Sequence, residues 1–456
     1  MSSTQAGPRM IGRSATRKIL RRFVPFLLLL YFVNYLDRTN IGFAKLTMSS
    51  SLGLTETMFG LVSGLFFIGY LLFEVPSNLG MHRFGARRWI SRIMVTWGIV
   101  ASLMAFVRGP GDLYVLRILL GVAEAGFFPG VVLFLTWWLP RNERVKVISM
   151  FLVGIPLSSV IGAPMSTAIM QYGDGALGLD GWRLMFLVEG LPAILLGVIA
   201  WFYLTDRPED AEWLTPEERA WVAQTVADED AELTHTAVAS PWAALRSPRI
   251  LVLGLVYFGV VYGLYPLSFF LPTVVVGLAE RFHRTWSLLE SGLIVAIPFA
   301  IGAVSMVVWS LHSDATRERR WHVALPTLVA GVSIPVALYL QSPFAIMACI
   351  SITCAGVLCA LPVFWYVPPR LLTGAGAATG IALINSMGNA SGFAAPYFTG
   401  WLSDATGSLK PGLWLVGLCM VASGLALLAL TRPSALPPEG DESLSPVASR
   451  ASASAT

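Results

Sequence analysis

Charge is what this chain has least of. Asp, Glu, Lys and Arg make up 13% of its 456 residues, whereas 55% are hydrophobic. A soluble domain carries about 25% charged residues, so a soluble globular fold is excluded. The net charge is only +4, and the basic residues gather near predicted helix ends, which gives no footing for a nucleic-acid partner. Histidine is scarce. All five (82, 235, 283, 312, 322) fall in loops or near helix ends, so no axial ligand for a membrane haem stands inside a span. The four cysteines, Cys349, Cys354, Cys359 and Cys419, lie in apolar stretches. The first three are five residues apart, a spacing that turns each away from the next on a helix, so they read as inert thiols rather than a metal or disulfide set. No phosphate-binding loop is present, which argues against a self-contained ATP-driven pump. No cofactor is implied.

What the chain has is long apolar runs. A membrane-spanning helix needs roughly 20 mostly apolar residues, and the pattern predicts twelve, at about 22–43, 57–79, 89–107, 112–138, 146–170, 183–205, 249–277, 287–311, 322–340, 344–366, 375–402 and 412–431. The run from Phe23 follows a basic stretch but has no small-residue cleavage site, so it is expected to be retained as the first span. The expected class is an all-α membrane protein with the lipid bilayer as its solvent. Its divisions are a basic N-terminal tail at 1–21, a six-helix bundle at 22–205, a polar central loop at 206–248, a second bundle at 249–431 and a Pro-, Ser- and Ala-rich tail at 432–456 that reads as disordered. Within the central loop, Thr215-Pro216-Glu217-Glu218 is a helix start, with Thr as N-cap and acids at the positive dipole end. Two halves of similar size suggest two repeats around a midplane site. Basic residues concentrate after spans two, four and eight (Arg83, Arg87, Arg88; Arg141, Arg144; Arg317, Arg319, Arg320). This bias puts both termini in the cytoplasm of a cell whose inner membrane the chain crosses.

The few charges at membrane depth carry the chemistry. Ionisable groups in hydrocarbon are costly and usually face a cavity or a partner. Here they are confined to the first half: Asp37, Arg38, Glu74, Arg117, Glu124 and Glu189. Asp37 adjoins Arg38, and Arg117 stands two helical turns before Glu124. A buried carboxylate near an arginine is pulled both ways, by desolvation and by the opposite charge, so Asp37 and Glu124 are candidate proton carriers. Arg38 and Arg117 are candidates to hold a carboxylate through their forked donors. The alternative is that the four make static ion pairs between helices. Glu74, just before Pro76, reads as a gate or cap, and Glu189 as structural. The second half offers neutral contacts instead: Tyr262, Tyr265, Ser268, Trp365, Tyr366, Asn385, Ser386 and Asn389.

Several stretches resemble one family. Asn34-Tyr35-Leu36-Asp37-Arg38-Thr39-Asn40-Ile41-Gly42 is similar to the first helix of the anion:cation symporter family of the major facilitator superfamily. Leu116 to Gly130, with Arg117 and Glu124, is similar to its fourth helix. Leu214-Thr215-Pro216-Glu217-Glu218-Arg219 resembles the end of its central loop, and Ala382 to Asn389 its eleventh helix. The resemblance implies proton-coupled symport of a small organic anion by alternating access, in a chain expected to act as a monomer. By position it implies proton coupling at Asp37 and Glu124, a carboxylate contact at Arg38, and Arg117 as partner of the helix-four acid. It also implies cavity-lining roles for Tyr70 and Asn385, and a pocket shaped by Phe364 and Trp365. Two positions depart from the family. His82 stands where the superfamily's second loop usually has Asp, and Gly154-Ile155-Pro156-Leu157-Ser158 lacks the helix-five amide of galactonate-type members. The second departure tilts the expected cargo from a polyhydroxy sugar acid toward a smaller or more apolar one, of the tartrate or aromatic-carboxylate type. The rivals are an efflux antiporter on the same fold, with Gly162-Ala163-Pro164 as a weak match to the antiporter signature, and a non-transporting membrane sensor.

Overall fold

The computed structural model describes residues 6–234, 246–368 and 376–431. The tail at 432–456, Arg370 and part of the central loop lie outside the described residues. The helices are α1 (Ala6–Leu52), α2 (Glu56–Phe84), α3 (Ala86–Leu103), α4 (Pro110–Glu124), α5 (Phe127–Trp138), α6 (Arg141–Tyr172) and α7 (Gly181–Tyr203). Then come α8 (Pro216–Thr234), α9 (Pro248–Arg281), α10 (Leu288–Thr316), α11 (Arg320–Ala337), α12 (Pro343–Phe364), α13 (Gly376–Thr406) and α14 (Lys410–Leu430). With α4 and α5 taken as one broken crossing, ten are long and apolar enough to cross a membrane. α11 and α13 fall short of that measure. α11 opens on Arg320-Trp321-His322, and α13 carries Asn385, Ser386, Asn389 and Ser391. Both pack among the others, α11 on α12 and α14, α13 on α2 and α9, and complete twelve crossings.

Each half packs on itself, and the halves meet chiefly through three pairs: α2 with α13, α6 with α10, and α1 with α9. The tightest of these contacts lie at the end of the bundle where α1 passes into α2, remote from the start of α1 and the end of α14. A Cβ on Gly60 of α2 would fall 2.3 Å from the Pro396 carbonyl oxygen of α13, so only glycine lets these two backbones approach. At the same end, Asp404 of α13 accepts hydrogen bonds from the backbone N–H groups of Glu56 (3.2 Å) and Thr57 (2.7 Å). It thereby satisfies orphan donors of the α2 N-terminus from the opposite half. Lys45 of α1, 4% exposed along its side chain, pairs with Glu56 at 2.6 Å and lies over Phe59 of α2 and Phe270 of α9. This end is latched across the halves by a charge, a cap and two aromatic faces.

Two elements differ from the sequence expectation. The predicted tail at 1–21 is helical from Ala6 onward and continuous with the first span. The predicted single span at 112–138 is broken. α4 stops at Glu124, and Gly126 adopts φ +83, a left-handed conformation that favours glycine and ends helices. A Cβ there would also meet Ser77 Oγ at 2.4 Å. Pro129 then sits in the first turn of α5, where its missing N–H costs nothing.

The extended α1 gives α8 a docking post. Thr215 and Glu218 form a reciprocal cap, with Glu218 N–H on Thr215 Oγ1 (3.3 Å) and Thr215 N–H on the Glu218 carboxylate (3.0 Å). The same carboxylate accepts from Lys18 Nζ (2.8 Å) and Ser14 Oγ (2.7 Å) of α1. Burial pushes the Glu218 carboxyl up, but the hydrogen bonds from Lys18, Ser14 and Thr215 outweigh it and hold the group below the usual carboxylate range. A depressed carboxylate contributes stability that is complete above its unfolded value, about 4.3, and disappears as pH falls through its folded one. The protection of the 216–234 amides against hydrogen exchange, taken relative to the intrinsic rate at each pH, should therefore be flat from neutral pH down to about 5 and fall in more acid solution. Glu218→Gln should lower that protection roughly fivefold at neutral pH, about 1 kcal/mol for a lost cap. Unchanged exchange in that variant would show that α8 is held by something else.

Candidate functional site

The break after α4 places Glu124 at a helix end inside the first bundle, with no exposed surface. Its partner is Arg38. The Arg38 Nη2 group donates to Glu124 Oε1 in a close ion pair. The guanidinium is held among aromatic faces, with Tyr35, Phe66 and Tyr70 centroids at 5.1, 5.1 and 5.4 Å. Cation–π contacts are worth about 0.5–2 kcal/mol, more when water is excluded. The pair is incompletely satisfied: Arg38 Nε and Glu124 Oε2 are buried without hydrogen-bond partners. A carboxylate bound edge-on to a guanidinium uses two adjacent N–H groups. Here one oxygen takes one group, and the neighbouring N–H waits.

Arg117, expected beside Glu124 as its partner and as a cargo contact, is turned elsewhere. It is wholly buried, and its Nε and Nη2 donate to the Val62 (3.0 Å) and Ser63 (3.4 Å) carbonyl oxygens of α2. The seven-residue spacing to Glu124 is real, but α4 presents Arg117 to the α2 backbone. These two bonds tie α4 to α2, while its Nη1 is buried without a partner and its guanidinium lies 5.2 Å from the Phe66 centroid.

Asp37 is 1% exposed and lies on a different network from Arg38, although the two are adjacent in sequence. Trp97 Nε1 of α3 donates to its Oδ2 at 2.9 Å, and Asn40 Nδ2 to its Oδ1 at 3.2 Å. Asn40 Nδ2 also reaches Glu189 Oε2 at 3.0 Å, and Ser166 Oγ donates to Glu189 Oε1 at 2.6 Å. Glu189, read from sequence as structural, thus belongs to the Asp37 cluster. Trp97, Asn40 and Ser166 went unnoticed in the sequence because uncharged residues in an apolar helix carry no signal of their own.

The second half brings aromatic rings. Tyr265 meets Phe67 of α2 edge-on at 4.4 Å and lies within electrostatic reach of Arg38. Tyr257, which sequence reasoning passed over, stacks on Phe364 at 4.9 Å and meets Trp365 edge-on at 4.8 Å. Phe364 is fully buried behind it. Tyr262 does not join this group. It packs on Phe258, and its hydroxyl is buried without a partner. Asn385 reaches across the halves to donate to Glu74 Oε1 at 3.3 Å.

The chain matches the family model described as Major Facilitator Superfamily over residues 27–396. It belongs to the major facilitator superfamily. It is 47% identical to the "Putative tartrate transporter" of Agrobacterium vitis, over 92% of this chain and 91% of that one. It is 37% identical to the "Quinolone resistance transporter" of Acinetobacter baumannii, over 90% and 93%. These kinships agree with the resemblance to the superfamily's anion:cation symporters. Among solved structures, the inward open conformation of the xylose transporter XylE from E. coli superposes with a TM-score of 0.73 at 16% identity, covering 90% of this chain and 95% of that one. Fold and relatives are those of multi-pass membrane transporters, not of enzymes.

Arg38 and Arg117 should separate in mutagenesis. Arg117→Lys loses the fork that ties α4 to α2. Each hydrogen bond to a charged group is worth about 1.5–3 kcal/mol, so a loss of roughly 2 kcal/mol should lower the melting temperature of the purified protein by about 2 °C. Arg38→Lys should leave melting nearly unchanged and weaken carboxylate uptake instead. An Arg117→Lys protein that melts normally yet takes up carboxylate poorly would return Arg117 to the cargo site.

Proposed function

We propose that this superfamily member is a proton-coupled symporter that carries a small organic anion into the cell. The observation that carries the reading is the Arg38–Glu124 pair, a single guanidinium shared between an internal carboxylate and a vacant hydrogen-bonding edge. In the resting site Glu124 is ionised and occupies Arg38. A proton on Glu124 removes its charge and its claim on the guanidinium, and a cargo carboxylate then takes the forked donors. Proton and anion thus enter together, and the site stays near neutral, which hydrocarbon depth demands. Release of the anion returns Arg38 to Glu124 and expels the proton. Asp37 is the second proton-coupling candidate.

Arg38 is the better cargo contact of the two guanidiniums, because three aromatic rings face it while two of the Arg117 donors are taken by α2. Together with Tyr70, Tyr265, Tyr257 and Trp365, this favours a cargo with one carboxylate and a flat or apolar body over one rich in hydroxyls. Phe364 backs Tyr257, and Asn385 donates to Glu74. The relative named for tartrate supports an organic acid. The latch at the α1–α2 end, with the basic loops at the opposite end, supports a conformation closed toward the periplasm, with both termini cytoplasmic. If protons outnumber the cargo's negative charges, each cycle moves positive charge inward and gains about 2.3 kcal/mol per charge per 100 mV. The relative named for quinolone resistance favours a second reading, efflux by proton antiport, which reverses the direction of net flux.

Uptake by proteoliposomes under an inward proton gradient, across a panel of mono- and dicarboxylates, tests both. Glu124→Gln mimics the protonated acid permanently. Its uphill accumulation should fall by roughly tenfold or more, equivalent to about 1.4 kcal/mol, while counterflow exchange persists. Full accumulation in that variant contradicts the coupling role, and efflux driven by protons in the wild type favours the antiporter.

A further inference from the structure

Three carboxylates (Asp37, Glu124, Glu189) and two guanidiniums (Arg38, Arg117) are buried in the first half, each less than a tenth exposed. Glu124 takes Arg38, and Arg117 is fastened to α2. Asp37 and Glu189 have no cation at ion-pair distance among the described residues. Both rest instead on one side-chain nitrogen. Asn40 Nδ2 lies 3.2 Å from Asp37 Oδ1 and 3.0 Å from Glu189 Oε2. Every helix around them contributes only neutral donors at contact: Trp97 from α3 on Asp37 and Ser166 from α6 on Glu189. The charges of Arg117 and Glu124 on α4 act on Asp37 only at longer range.

Two ionised carboxylates joined by one amide, without a counterion and at membrane depth, would repel each other and bear the full loss of hydration. We infer that Asp37 and Glu189 hold a proton in common across Asn40, which makes Glu189 a proton-binding residue and this cluster a proton site separate from the Arg38–Glu124 pair. A shared proton belongs to the pair rather than to either acid. Asn40 suits both loadings. With its nitrogen inward, it donates to ionised oxygens, and its own Oδ1 is left buried and unpartnered. Once a second proton arrives, half a turn of the amide puts that oxygen inward to accept from two carboxyl O–H groups. Amide orientation follows from the surrounding network, so proton loading sets it here. The cluster stands on its own geometry; its bearing on coupling rests on the transport reading above.

Infrared spectroscopy of the purified full chain in lipid tests the cluster without any cargo. At neutral pH the wild type should show the carbonyl stretch of a protonated, buried carboxyl group. Glu189→Gln and Asp37→Asn should each remove or displace that band, Glu189→Asp should displace it without loss, and Glu124→Gln should leave it in place. Absence of the band in the wild type, or a band indifferent to both Glu189 variants, overturns the proposal. So does loss of the band when sodium replaces choline at fixed pH, since the oxygens would then be holding a metal cation. A failure here leaves carboxylate uptake intact, and a failure of uptake leaves the band.

Discussion

A single buried guanidinium organises the centre of this protein. Arg38 is held by Glu124 and faced by three aromatic rings, at a depth where water cannot compensate either charge. Breaking such a pair by removing one partner costs about 3–5 kcal/mol, because the survivor is left uncompensated. On the proposed reading, the same penalty makes the pair a switch. Only an event that neutralises Glu124, or that brings another anion to Arg38, separates the two cheaply. In the proposed cycle, protonation is the first and a cargo carboxylate is the second.

The fold is arranged around that constraint. The discontinuity at Gly126 delivers Glu124 to the bundle interior at the end of a helix rather than along its side, a device that irregular backbone can serve only where protein buries it. Arg117 fixes α4 to α2 and so fixes where Glu124 points. Tyr35 and Tyr70 approach Arg38 from α1 and α2, and among the described residues the second half supplies rings but no central charge. In the proposed cycle, rocking one half against the other would move these rings while the charge stays with the first half. The latch at the α1–α2 end, made by Lys45, Glu56, Asp404 and the close backbone approach at Gly60, holds one face shut without touching the central pair.

Much of the architecture was legible from the chain alone. Long apolar runs separated by basic loops give the helices and their halving, and the rare charges at depth mark the first half as the chemical one. Asp37, Arg38 and Glu124 stand out because hydrocarbon makes every charge conspicuous. Partnership was not legible. Adjacency suggested Asp37 with Arg38 and a shared helical face suggested Arg117 with Glu124, yet Arg38 reaches across to Glu124 while Asp37 and Arg117 turn to other helices. Helical spacing says which residues share a face, not what that face meets. The break in the fourth crossing was also hidden, since glycine and proline are common in membrane helices that stay continuous. Trp97, Asn40, Ser166 and Tyr257 were invisible for the opposite reason: neutral side chains acquire meaning only from what they touch.

The central claim is that a proton and a carboxylate exchange places on Arg38. Calorimetry of carboxylate binding to the purified protein, repeated in buffers of different ionisation enthalpy, measures the protons taken up with the anion. The account predicts net proton uptake by the wild type near neutral pH, and uptake reduced in Glu124→Gln although the anion still binds. Binding by the wild type with no proton uptake, or uptake undiminished in Glu124→Gln, would contradict it.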